Sequence, residues 1–189
     1  MTQNLTGLLA LAPLAVLLIM IARKDILSHR ISNKLVLIGI VLGVGFNGLL
    51  PMGFGFNSEV PGGLGWLAAL KGMGIGMAVL LPIYWLRAMG AGDVKLMAMV
   101  GAFLGPEDVL GALLATFIAG GIMAIVAVLW SRQLANLLQN IRLILLGGLV
   151  KMSVGRLPLM NDLPVSVGKL PYAVAITVGT LGFVIWQRI

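Results

Sequence analysis

The chain contains no cysteine and only one histidine, His29, in 189 residues. The first absence excludes disulfides, thiolate chemistry, iron–sulfur clusters and cysteine-based zinc sites. A lone histidine makes a poor metal site, and His29 reads as a solvated loop residue, so neither metal nor cofactor is expected. Charge is scarce too. Charged residues make up 10% of the chain and hydrophobic ones 60%, with a mean hydropathy of +1.08. A soluble domain is about a quarter charged. This composition suits a chain whose solvent is a bilayer, and its 26 glycines suit helices that pack closely there. A net charge of +7 raises nucleic acid as a partner, yet no basic stripe interleaved with aromatics is present.

Apolar runs of near-spanning length lie at about 5–22, 35–50, 68–86, 94–104, 109–130 and 170–186. They predict an all-α, polytopic membrane bundle of about six transmembrane helices, one membrane-embedded domain over residues 1–189. The first run has no basic stretch before it and no small-x-small site after it, so it reads as a retained span rather than a signal peptide. The fourth is undersized: even from Gly90 to Gly105 it rises about 24 Å, against an apolar core of about 30 Å. Residues 131–169 differ from the rest. Arg132, Gln133, Asn136, Gln139 and Arg142 alternate with Leu134, Leu137, Leu138 and Ile141 at helical spacing, which predicts an amphipathic, cytoplasmic or interfacial segment.

Loop charge sets the orientation. Eleven of the thirteen basic residues fall in the loops after spans one, three and five. The positive-inside rule then puts those loops in the cytoplasm and the N-terminus outside. The loop from Pro51 to Gly65, with Glu59, faces out.

Six acids can be weighed singly. Glu107 and Asp108 follow Pro106 and read as the favoured opening of a helix. Glu59 reads as a solvated loop residue, and Asp162, before Pro164, as turn chemistry. Asp25 and Asp93 stand apart, because one ends an inward-running span and the other begins an outward-running one. Both therefore lie at one cytoplasmic level. Asp93 sits in Gly90-Ala91-Gly92-Asp93-Val94-Lys95-Leu96, where the glycines permit an unusual backbone and close approach of another segment. An N-cap is the plain reading of Asp93; an undersized span, however, draws that carboxylate below the surface, where an ionisable group is costly and marks function. Two carboxylates converging on one water form an aspartic dyad that shares a proton; the ionised one acts as base, and the protonated one polarises the scissile carbonyl.

The segment Asp25…Arg30-Ile31-Ser32-Asn33, the Gly90-Ala91-Gly92-Asp93-Val94-Lys95-Leu96 run and Leu170-Pro171-Tyr172-Ala173-Val174-Ala175-Ile176 together resemble the type IV prepilin peptidases, membrane aspartic proteases of the GxGD type. Ser32 stands where that family usually has proline. The resemblance implies catalysis by Asp25 and Asp93, supported by Gly90, Gly92, Asn33 and Lys95. Asn33 orients the Asp25 loop or contacts substrate, and Lys95 anchors at the interface. It implies a prepilin or pseudopilin substrate, cleaved after its short basic leader at the cytoplasmic face of a bacterial inner membrane. Longer members add a cysteine-paired segment and methylate the new N-terminus. Its absence matches the short, peptidase-only form associated with Flp/Tad-type pili. The alternative is a small proton- or cation-coupled transporter using Asp25 and Asp93; such a protein would place acids at mid-span, and none lies there.

Overall fold

The computed structural model describes residues 2–49, 64–131 and 171–187. These form five helices: α1 (Thr2–Ser28), α2 (Asn33–Leu49), α3 (Trp66–Trp85), α4 (Ala91–Ser131) and α5 (Tyr172–Trp186). There is no strand among the described residues, so the all-α expectation holds there. Most of the outer loop with Glu59, and the amphipathic segment beyond Ser131 with Asp162, lie outside the described residues. By length and composition two helices are apolar enough to cross a membrane, Trp66–Trp85 and Ala91–Trp130, while α2 and α5 are shorter apolar helices. The bundle's outward faces are apolar as well. Leu67, Leu114 and Ile118 are each about two-thirds exposed or more, an arrangement a lipid solvent accepts and water does not.

α4 is the central element, packed against α2, α3 and α5. It is two helices joined at a kink. Gly105 has φ 81° and ψ −176°, a conformation that only glycine adopts cheaply. The arm before it, 91–104, rises about 21 Å. The apolar runs 94–104 and 109–130, the second opened by Pro106, are thus the two arms of one kinked element. From Leu96 to Gly105 every side of the first arm is buried.

The kink has its own polar partner. Pro106 has no N–H, so the Ala102 carbonyl four residues earlier has no helical donor from that position. Asn47, buried on α2, supplies one: its Nδ2 donates to Ala102 O at 2.8 Å and to Phe103 O at 3.0 Å. Its Oδ1 accepts from Leu64 N at 3.3 Å, and its own carbonyl accepts from Gly65 N at 2.8 Å. One side chain therefore binds the α4 kink and the entry to α3.

Small residues set the helix spacing. Gly72 and Gly76 of α3 lie directly on the backbone of the first α4 arm, at Gly101 and Met97, and Gly179 of α5 lies on Thr116 of the second arm. In a bilayer, where apolar side chains gain nothing by leaving lipid, such close backbone contact is what holds helices together. α1 packs on α5 and α2. The end of α1 and the starts of α2, α4 and α5 consequently meet at one end of the bundle, opposite the Gly105 kink.

Candidate active site

α1 continues past its apolar run to Ser28, so Asp25 lies within the last turns of the helix rather than after it. Leu14, Leu18 and Ile21 are fully buried at helical spacing, and Asp25 extends that stripe into the bundle with 6% of its surface exposed. Its basic neighbours Arg23 and Lys24 fall on the exposed side. The helix ends by a left-handed cap. His29, at φ 47°, donates its N–H to Asp25 O at 2.7 Å, while Ser28 Oγ donates to Lys24 O at 2.8 Å. His29 is exposed, as a solvated residue should be, and it also pins the backbone of Asp25.

Asp93 opens α4, though not as its N-cap. Gly90 holds that position, and Asp93 is the third helical residue. Asp93 Oδ2 accepts from Gly90 N at 3.1 Å, the half of a capping box in which the third residue reaches back to the N-cap, while Gly90 O accepts from Asp93 N at 3.1 Å as a backbone turn. Asp93 is nevertheless buried, at 8% exposure. Neither glycine has a positive φ, and of the two only Gly92 serves the close approach of another segment, since Gly90 meets only Asp93 and Gly92 of its own turn. A Cβ on Gly92 would lie 2.9 Å from Ile31 Cβ, so glycine there lets the α1–α2 turn seat on the start of α4.

α5 contributes the third wall. Its N-cap is Pro171, and Ala173 N, one of the first donors of the helix with no partner inside it, donates to Asp25 Oδ2 at 3.2 Å. Each carboxylate thus has one oxygen held by a backbone N–H at a helix N-terminus, where the peptide dipoles favour negative charge. The α1–α2 turn that follows Asp25 seats Ile31 on Gly92, next to Asp93, so the two carboxylates share this end of the bundle. Tyr172, half-buried beside Ala173, lies within the field of Asp93. Lys95 and Asn33 meet on the exposed rim, with Nζ donating to Asn33 Oδ1 at 3.4 Å. All six residues singled out from the sequence therefore gather at one end.

Asp108 is buried at the opposite end, and its Oδ1 accepts from Gln187 Nε2 at 2.8 Å. It opens the second α4 arm as expected, and it also ties that arm to the end of α5. No group of three potential metal ligands occurs among the described residues.

Three contributors escaped the sequence reading: the Ala173 amide, Tyr172 as a neighbour of Asp93, and Asn47. A backbone N–H carries no sequence signature. Asn47 did carry one, being a polar residue inside an apolar run, where its cost requires a buried partner.

Residues 12–125 match the Type IV leader peptidase family. That stretch carries Asp25, Asn33, Gly90, Gly92, Asp93 and Lys95. No curated protein and no solved structure matches the chain. The family and the two long apolar helices together indicate a membrane protein with a leader peptidase role. The transporter alternative gains no support from them.

Proposed function

The chain belongs to the type IV leader peptidase family, and from that premise we propose that it is a membrane aspartic endopeptidase in which Asp25 and Asp93 form the catalytic dyad. The observation that carries this reading is that two buried carboxylates, from the end of α1 and the start of α4, lie at the same end of the bundle, where Ile31 seats on Gly92 and the Ala173 amide holds Asp25. A proton shared between them leaves one carboxylate ionised to take a proton from water. The other, protonated, hydrogen-bonds the scissile carbonyl oxygen. As the hydroxyl adds, that oxygen gains negative charge; the first Asp then returns its proton to the departing amine.

In this reading the substrate is a prepilin or pseudopilin, whose short basic leader is removed where its apolar helix leaves the membrane. The chain is a single domain of six spans in a bacterial inner membrane, with its N-terminus outside and the dyad at the cytoplasmic face. The basic loops support that side, and a lipid-facing bundle that buries carboxylates at one end suits a peptide bond at the membrane border. The lack of cysteine supports peptide cleavage without methyl transfer.

The test is leader removal from a co-expressed prepilin, read by its mobility. Asp25→Asn and Asp93→Asn should each abolish it while the protein stays in the membrane. Asp108→Asn, which retains an acceptor for Gln187, should process normally. Normal processing by either dyad variant would overturn the assignment.

A further inference from the structure

Tyr172 is the first residue of α5, directly before the amide that holds Asp25. Its ring is fixed against Gly120 of the second α4 arm: a Cβ added there would lie 2.9 Å from Tyr172 Cε2 and 3.1 Å from the phenol oxygen. A phenol in a half-buried place usually has a hydrogen-bond partner. Among the described residues none is bonded to this hydroxyl. The first turn of α5 thus presents one donor already committed to Asp25 and, next to it, one that has no partner among the described residues.

We propose that the Tyr172 hydroxyl is a third catalytic group of this site, hydrogen-bonding the scissile carbonyl oxygen as it becomes an oxyanion; this rests on the dyad reading. The balance is simple. The water oxygen bonds to the carbonyl carbon, the π pair moves onto the carbonyl oxygen, and the water proton goes to the ionised Asp. Tyr172 keeps its proton and lends only a hydrogen bond, which strengthens as charge develops. Tyr172 directly precedes the Ala173 amide that holds Asp25 Oδ2, which puts it at the dyad end of the bundle.

Tyr172→Phe retains the ring against Gly120 and removes the donor. With purified protein in detergent, and a synthetic peptide carrying a basic leader that ends in glycine ahead of an apolar helix, kcat should fall about a hundredfold with KM within about twofold. Unchanged kcat overturns the proposal, and so does a change confined to KM, which would make Tyr172 a substrate-packing residue. Asp25→Asn and Asp93→Asn run alongside: activity in either sinks the dyad itself, whereas inactivity there with full activity in Tyr172→Phe sinks only the proposal. A second measurement needs no stable Phe variant. The chain has two tyrosines, so 3-fluorotyrosine labelling in a Tyr84→Phe background leaves one ¹⁹F signal. That signal should shift on Asp93→Asn and on binding the peptide to an Asp25→Asn protein; indifference to both overturns the proposal.

Discussion

The Asp25 carboxylate accepts a hydrogen bond from the backbone N–H of Ala173, 3.2 Å away, so the last helix of the chain orients a group carried by the first. Asp93 is held differently, by Gly90 within its own helix turn. One half of the pair is therefore local and rigid, while the other depends on the docking of α5.

That dependence predicts intolerance of added length at Asp25. Asp25→Glu keeps the charge but moves the carboxylate by one methylene, past the Ala173 amide. Misplacement of a reacting group by about 1 Å costs about a hundredfold. Leader cleavage by Asp25→Glu should fall by at least that much, measured as kcat on purified protein, with the melting temperature in detergent little changed.

Gly92 and Gly90 should respond differently to alanine. At Gly92 the new Cβ meets Ile31 Cβ at 2.9 Å, a branched carbon tied to the backbone, so the α1–α2 turn must lift from α4. Overpacking of this kind costs about 1–3 kcal/mol. At Gly90 the nearest atom is the movable Asp93 Oδ2, at 3.2 Å. Thermal unfolding should therefore show a clear loss for Gly92→Ala and a smaller one for Gly90→Ala.

Much of the candidate site was legible in the sequence because its parts announce themselves by type and level. Asp25 and Asp93 stand out in a chain with six acids, and loop charge sets them at a common height. The two arms of α4 were legible too, since a Gly-Pro step interrupts an apolar run. The position of Asp93 within its helix was not, because Gly90 can cap without a side chain and leaves the aspartate to reach back from the third position. Nor was the contribution of α5. Which amide meets Asp25, and which ring meets Gly120, follows from how α5 crosses α1 and α4, and that crossing is set by Gly179 seating on Thr116. Distances between helices far apart in sequence leave no trace in local pattern.

Lys95 and Asn33 join the starts of α4 and α2 by one long, exposed hydrogen bond of 3.4 Å. A solvated polar contact of this kind is worth less than about 1 kcal/mol. Lys95→Met and Asn33→Ala should each leave the fold intact, and a double-mutant cycle on thermal stability should give a coupling below that figure. If cleavage falls much further in Lys95→Met than stability does, the lysine acts on substrate and not as an anchor.

Orientation is open to a direct measurement. A reporter fused after Arg30 should be cytoplasmic and one fused near Glu59 external, as the basic loops require. The reverse result would put the carboxylate pair on the side a prepilin leader never visits.

Asn47 tests whether the kink in α4 is a structural joint separate from the chemistry. Its amide donates to Ala102 O at 2.8 Å, replacing the donor that Pro106 lacks. Asn47→Leu is close in volume but offers no N–H, so a buried carbonyl is left without its donor at a cost of about 1–3 kcal/mol. The Leu64 amide loses its acceptor as well. Both losses fall at the end of the bundle opposite Asp25 and Asp93. The expected outcome is a lower melting temperature in detergent with leader cleavage per folded molecule near wild type. If cleavage falls while the melting temperature holds, the kink is coupled to the dyad through the buried first arm of α4, and the two ends of the bundle cannot be treated as independent.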